Sequence, residues 1–413
     1  MSGPALLSRL GRWLPVSPRA MQRLRQLQWQ MFRARAWVGY GRNRRPQTPR
    51  AGPICVVGFH SSELGIGEGA RAFSSALRAA GAEVVDWDIT ALFGHQRRFE
   101  GGYSTAPPAQ AAAIVIHLNP HELVRLVGML GAAPFEGRFC VGYWAWELEA
   151  IPVSWSAGFR YVDEVWTPSR FVADAVAARA PRALPVRVQP HPLAPGAARP
   201  DRAAFDLPQD AVVVLTAFDI RSGFARKNPV AAVRVFRQAS AQAGDGILVC
   251  KVAGREVAPG LYDQLLAEIG EGGDVRLMTE LLSAAQMSTL IASADIVLSL
   301  HRSEGFGLVL AQAMLAGKAV VATGWSGNLE FMTAQNSLLV DYALTPVNDP
   351  QGFYDRGPWA QADVADAAAK LTLLLQDVDA RRSLGAKAAV AAARTLDPVR
   401  LGLKARAWLE GGA

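Results

Sequence analysis

The sequence predicts an α/β protein, with two doubly wound domains facing a cleft and a basic helical arm in front of them. Three observations predict it. From Pro53 to about residue 395, short apolar runs alternate with helix-length runs, as parallel strands and crossover helices do. A proline-rich stretch, "PVRVQPHPLAPGAARPDRAAFDLPQD", interrupts the alternation and divides it into two sets. Finally, residues 1–50 carry eleven arginines and no lysine, aspartate or glutamate, while the rest of the chain carries 32 basic and 36 acidic groups.

The arm, 1–50, holds a first apolar cluster of Leu6, Leu7, Leu10, Trp13 and Leu14. Met21, Leu24, Leu27 and Met31 then recur at three- and four-residue steps, as on one helix face, with Trp29, Phe32 and Trp37 adding aromatic bulk. The plainer reading is a loosely docked basic tail. The sharper one is an amphipathic helix on an anionic membrane surface. The net acidic body and the lack of a nucleic-acid module point away from nucleic acid.

The first domain, 51–197, opens with "PICVVGFH" as a strand. "SSELGIGEGARAFSSALRAAG" follows as a glycine-rich turn and a helix, and "AEVVDWDI" is the next strand. That is a βαβ unit. "AAIVIHLNP" and "RFCVGYWAWELE" read as strands with reactive side chains at their carboxyl ends, followed by strand "VDEVWTPS" and helix "RFVADAVAARA". The second domain, 198–395, repeats the alternation from "AVVVLTAFD" to "AVVATG". The helix at 396–413 is expected to complete the first domain. Both units are Rossmann-like, and ligands of such sheets sit beyond the carboxyl ends of the strands.

Bulk properties bound the function. The chain has 413 residues, 50% hydrophobic and 19% charged, enough for two or three cores and unlike a disordered chain. No apolar run reaches the roughly 18–20 residues of a membrane span, and the N-terminus lacks the apolar core of a cleavable signal. Cys55, Cys140 and Cys250 have neither metal nor redox spacing and read as buried thiols of a reducing compartment. The expected location is cytoplasmic and peripheral to the inner face of the cell membrane.

Three stretches carry chemistry. "HRSEGFGLVLAQAM" places Glu304 before Gly305-Phe306-Gly307 and a helix bearing Leu308 and Gln312. The glycines allow close backbone approach, and the helix start attracts anions. Glu304 and Gln312 lie about 12 Å apart along a helix, a span that suits a long ligand held at two points. Glu304 complementing the helix dipole, with Gln312 an ordinary helix position, is the plainer alternative. "FDIRSGFARKNP" puts Arg221, Arg226 and Lys227 between a strand and a helix, a phosphate site or else a solvated basic loop. "ELGIGEG", with Gly65 and Gly67, lacks the GxGxxG spacing, and only Asp86 or Asp88 stands where a ribose-binding acid belongs; a simple tight turn also accounts for it.

In combination, "EGFGLVLAQAMLAGKAVVATGWSGNLEFM" and "FDIRSGFARKNP" resemble the donor-binding segment and the Arg-x5-Lys diphosphate element of retaining glycosyltransferases of family 4, whose fold is GT-B. "ELGIGEGAR" and "GYWAWELEAIPVSWSAGFRYVDEVWTPSRFV" resemble the first domain of a bacterial branch of that family. The resemblance covers roughly residues 53–395. It implies transfer of a sugar from a nucleotide diphosphate sugar to an acceptor hydroxyl. No cofactor is expected, and since no acid-rich metal motif is evident, the cations of the basic turn are expected to replace a divalent ion. Glu304 would contact the donor sugar, Gly305, Phe306, Gly307 and Leu308 would hold sugar and phosphate, and Arg221 and Lys227 would bind the diphosphate. Where the family usually has a second glutamate on the ribose, this chain has Gln312. Candidates on the acceptor side are His117 and Asn119 in "VIHLNPHEL" and Trp146 and Glu147 in "GYWAWELE". A saccharide or lipid-linked saccharide is the implied acceptor. A nucleotide-sugar epimerase of the same fold, or a non-catalytic binder, are the alternatives.

Overall fold

The computed structural model describes residues 18–244 and 246–412. The arm's first apolar cluster, Leu6 to Leu14, lies outside the described residues, as do the side chains of Met21, Arg23 and Arg25. Helix α1 (Pro18–Ala36) runs into a π-turn at Trp37–Gly41.

The first sheet contains β1 (Ile54–Gly58), β2 (Val84–Asp88), β3 (Ala113–Ile116), β4 (Phe139–Tyr143), β5 (Glu164–Thr167) and β6 (Val186–Val188). All six are parallel, in the order β2-β1-β3-β4-β5-β6. Its helices are α2 (Gly65–Ala79), α3 (Pro120–Leu130) and α4 (Arg170–Ala177). Every residue of β1, β3, β4 and β5 is buried, which explains the unbroken apolar runs of these central strands. One expectation fails here. "PVRV" belongs to the first sheet as edge strand β6, not to the proline-rich divider, because proline at the start of an edge strand costs no ladder bond.

The second sheet contains β7 (Val212–Asp219), β8 (Gly246–Ala253), β9 (Val275–Met278), β10 (Ile296–Ser299), β11 (Ala319–Thr323) and β12 (Leu338–Val340). It too is parallel, in the order β12-β11-β10-β7-β8-β9. Between these strands lie the short α5 (Phe224–Lys227), then α6 (Pro229–Ala243), α7 (Pro259–Ile269), α8 (Ala284–Ser293) and α9 (Leu308–Leu315). An antiparallel hairpin, β13 (Tyr342–Pro346) and β14 (Pro358–Ala362), precedes α10 (Val364–Gln376), α11 (Val378–Thr395) and α12 (Pro398–Glu410). The fold is thus two Rossmann-like domains.

After α11 the chain returns to the first sheet. The Leu193 amide donates to the Leu396 carbonyl at 2.9 Å, where the two crossing segments meet. Helix α12 lies so close on α2 that a Cβ on Gly402 would stand 2.2 Å from the Ala76 carbonyl oxygen. Trp408 of α12 packs edge-on against Trp166 of β5, ring centroids 5.2 Å apart. The three cysteines are free and buried, and burial pushes the Cys140 and Cys250 thiols up to about 12, where they are inert.

The arm's helix docks on the first domain. Phe32, Ala36 and Tyr40 are buried, and a Cβ on Gly128 of α3 would meet the Phe32 carbonyl oxygen at 2.6 Å. Trp29 stacks on His121 with ring centroids 3.9 Å apart, and Arg160 lies 4.0 Å over the Trp37 ring. Trp29 and Phe32, read from sequence as aromatic bulk for a membrane, are used instead to hold α1 to α3.

Candidate functional site in the interdomain cleft

Sheet order locates the site. In the second sheet the order reverses between β7 and β10, and in the first between β1 and β3. Ligands of doubly wound sheets bind at the carboxyl ends of such strands. The segments that follow β7 and β10 are "IRSGFARK" and "LHRSEGFG".

Local chemistry shapes both segments. Lys227 ends α5, Asn228 turns the chain at φ 53°, and Pro229 begins α6. Asparagine tolerates this left-handed conformation, proline suits the first helical position, and the Asn228 Nδ2 donates to the Leu300 carbonyl at 3.0 Å, tying the β7 loop to the end of β10. Gly307, at φ 95°, starts α9 without a side-chain cap. The Glu304 amide donates to Ser326 Oγ at 2.8 Å. Ser326 itself has φ 79°, a strained conformation of the kind that clusters at functional sites.

Glu304 is buried, and two cations meet its carboxylate: Lys227 Nζ bonds to Oε1, and Arg226 Nη1 lies 3.1 Å from Oε2. Burial alone would raise this carboxyl. Lys227 and Arg226, with His301 adding to them, hold it down at about 2. Burial lowers the Lys227 ammonium, and Arg226 beside it acts the same way against the pull of Glu304. Arg226 also donates to the carbonyls of Ser222 and Ser303 and stands 4.0 Å from Glu147.

The first domain supplies the opposite wall. Trp146 presses on Gly305, where a Cβ would stand 2.9 Å from the Trp146 carbonyl oxygen. Ser169 Oγ caps α4 and donates to the Gly305 carbonyl at 2.7 Å. Tyr354 donates to Glu147 at 3.1 Å. Phe306 meets His191 edge-on with ring centroids 5.0 Å apart. Leu308 faces Gly65 of α2, and Gln312 Nε2 donates to Glu68 Oε1 at 2.5 Å.

The expected residues therefore divide. Glu304, Lys227, Gly305, Trp146 and Glu147 come together. Asn119 takes a supporting place: its Oδ1 accepts the Ala145 amide at 3.0 Å and so fixes the loop that carries Trp146 and Glu147. His117 is fully buried, stacked on Tyr143 at 4.2 Å, with neither ring nitrogen hydrogen-bonded; burial and the nearby His191 and His60 keep it neutral, well below the ordinary histidine value. Gly67 is a packing glycine, since a Cβ would stand 2.4 Å from the Phe59 carbonyl oxygen. Asp88 is occupied by Ser61 and Thr90.

Arg221 does not converge with Lys227 on one point. Its guanidinium is held by Asp219 at 3.0 Å and faces Glu63 at 3.5 Å. It lines a cavity of about 460 Å³ between the domains, with Ser62, Glu63, His95, Lys251 and Thr279 among the lining residues. Arg226 takes the place beside Lys227. Sequence reasoning placed Arg226 in the cationic turn without giving it a role, and it missed Glu68, Ser169 and Tyr354. Adjacency to Lys227 in "RKNP" was the available signal for Arg226; the other three act across domains and left no local signal.

Among the described residues no group of three or more metal-ligating side chains is found, and no helix is long and apolar enough to cross a membrane.

Residues 222–357 match the family model "Glycosyl transferases group 1". A curated relative, the trehalose synthase of Pyrococcus horikoshii, is 28% identical over 129 residues, which is 31% of this chain and 26% of that protein; the chain spans about a quarter of that relative's length. Among solved structures, the sucrose-phosphate synthase of Thermosynechococcus elongatus aligns with a TM-score of 0.63 at 16% identity, over 86% of this chain and 97% of that one. Anabaena HepE in complex with UDP and glucose aligns at 0.59 and 16% identity, over 86% of this chain and 98% of that one. The second domain thus carries the match to group 1 glycosyltransferases, and the chain as a whole has the GT-B fold.

Proposed function

We propose that this chain transfers a sugar from a nucleoside diphosphate sugar to an acceptor hydroxyl with retention at the anomeric carbon, as family 4 enzymes of a bacterial branch do. The observation that carries the reading is the convergence of Arg226 and Lys227 on Glu304 at the β7–β10 switch point, facing the cleft. The match of residues 222–357 supports it, as does the complex of a similar fold with UDP and glucose.

In this reading the donor diphosphate lies against Lys227 and the uncapped amides at the start of α9, and Arg221 joins it only by leaving Asp219 and Glu63. Glu304 turns from its cations to the sugar hydroxyls, and Gln312 faces the ribose. As the glycosidic bond breaks, negative charge grows on the diphosphate. Fixed cations and helix-start amides stabilise that charge without reorganising, and this is why the reaction is proposed to need no metal. Trp146 and Glu147 border the acceptor's side of the cleft. The acceptor is a saccharide or lipid-linked saccharide of surface polysaccharide or glycolipid assembly, met at the inner face of the cell membrane.

Lys227→Ala tests the reading. Loss of one charge-assisted bond is worth about 1.5–3 kcal/mol, so affinity for a nucleoside diphosphate is expected to fall roughly ten- to a hundredfold, read by calorimetry on folded protein. Unchanged affinity would remove the assignment. Incubating wild type with candidate donors, with and without a chelator, separates the activities: slow release of free sugar marks a transferase, isomerised donor an epimerase, and neither a binder.

A further inference from the structure

Gln312 lies one turn into α9 and Glu68 one turn into α2. These helices begin opposite one another across the cleft: a Cβ on Gly65 would lie 3.7 Å from Leu308 Cδ1. Neither helix start has a side-chain cap, so both present free amides to the same space. The bond from Gln312 Nε2 to Glu68 Oε1 links them one turn further in.

An amide has a donor side and an acceptor side. Glu68 engages the donor side, which leaves the Gln312 oxygen as the acceptor. A carboxylate on the NH2 group polarises the amide and strengthens that oxygen. Arg71, one turn along α2, donates through Nη1 to the carbonyls of His60 at 2.7 Å and Ser62 at 2.8 Å. Burial raises the Glu68 carboxyl, and the charge of Arg71 and the bond from Gln312 act against that rise.

We infer that Glu68 is a positioning residue of the donor site, supplied by the opposite domain: it fixes the Gln312 amide with its oxygen toward the donor, so that the pair holds a vicinal diol such as a nucleotide ribose and couples that grip to domain closure. The inference rests on the donor reading above. A glutamate at 312 is then no improvement by itself, because two carboxylates at hydrogen-bond distance must separate or share a proton. Reversing the pair restores one donor and one acceptor, with the charge moved to α9.

The experiment uses the full chain as wild type, Glu68→Gln, Gln312→Glu and the double variant. UDP and 2′-deoxy-UDP are titrated by calorimetry, with GDP and ADP as further probes, and melting is followed without nucleotide. Glu68→Gln is expected to weaken UDP about tenfold and to reduce the preference for UDP over 2′-deoxy-UDP. Gln312→Glu should weaken UDP by more than tenfold and lower the melting temperature. The double variant should recover both to within about threefold of wild type in affinity. Additive losses in the double variant, or an unchanged ribose preference in Glu68→Gln, overturn the proposal. If wild type binds none of the nucleoside diphosphates, the donor reading fails and the proposal with it; recovery of melting temperature alone in the double variant then marks a structural latch.

Discussion

Glu304 is the residue on which the cleft's charges balance. Its carboxyl is held at about 2 against an ordinary value of 4.5. A depressed carboxyl contributes stability that is present above its unfolded value and lost as pH falls through its folded one. The window is therefore about 4.5 down to about 2, and the loss is on the order of 3 kcal/mol. Urea midpoints measured at pH 7, 4 and 3 should fall accordingly for wild type, and this part of the fall should be absent in Glu304→Gln. At pH 7 the same substitution leaves Arg226 and Lys227 short of a partner and should cost about 3–5 kcal/mol. The candidacy of Glu304 was legible in sequence because an acid stands between an apolar strand and Gly305-Phe306-Gly307, although the same position also suits the dipole of the helix that follows. The identity of its second cation was not. Spacing favoured Arg221 as readily as Arg226, and only the turn at Asn228 and the carbonyls of Ser222 and Ser303 decide which guanidinium points inward.

Among the elements, the central strands were legible because both faces are buried and each reads as an apolar run. Strand β6 and the β13–β14 hairpin were not, since Val186–Val188 is only half-buried and flanked by prolines and much of β13 is exposed. Helix α1 shows how one periodicity can serve two surfaces. Trp29, Phe32 and Ala36 face α3, while Leu24, Leu27 and Met31 remain exposed beside exposed Arg33 and Arg35. The exposed stripe is the one whose three- and four-residue steps suggested a membrane. Apolar groups of this size are worth about 1.5–3 kcal/mol each when fully buried, and each arginine near an anionic surface about 1 kcal/mol. Leu27→Glu combined with Met31→Glu should therefore lower co-sedimentation with anionic vesicles at least tenfold. The helix signal by circular dichroism should not change, because neither side chain packs on α3. Binding equal to wild type, or binding indifferent to anionic lipid, would show that α1 serves only as a brace on α3.

At the scale of the whole molecule, the two domains meet around the cleft through aromatic contacts, such as Trp146 on Tyr354 and Phe171 on Trp325, and through a set of polar ones. Ser169 bonds to Gly305, the Arg170 amide to Glu330 at 2.7 Å, Tyr354 to Glu147, and Gln312 to Glu68. Interfaces of this kind permit relative domain motion, and closure over a ligand is a common gating step. At Gly305 the backbone of the second domain lies close against that of Trp146 in the first. Gly305→Ala would place a methyl 2.9 Å from the Trp146 carbonyl oxygen, and backbone on both sides leaves no flexible side chain to yield. The first domain must then withdraw by a few tenths of an ångström or more. The cations proposed to hold the diphosphate all lie on the second domain and keep their places. Affinity for a nucleoside diphosphate should therefore fall by no more than a few-fold, while turnover of donor, which needs both walls of the cleft, should fall by about a hundredfold, as misplacement on the ångström scale does. Equal loss of affinity and turnover would instead place Gly305 in donor binding itself, its carbonyl and amide serving the ligand rather than the closure of one domain on the other.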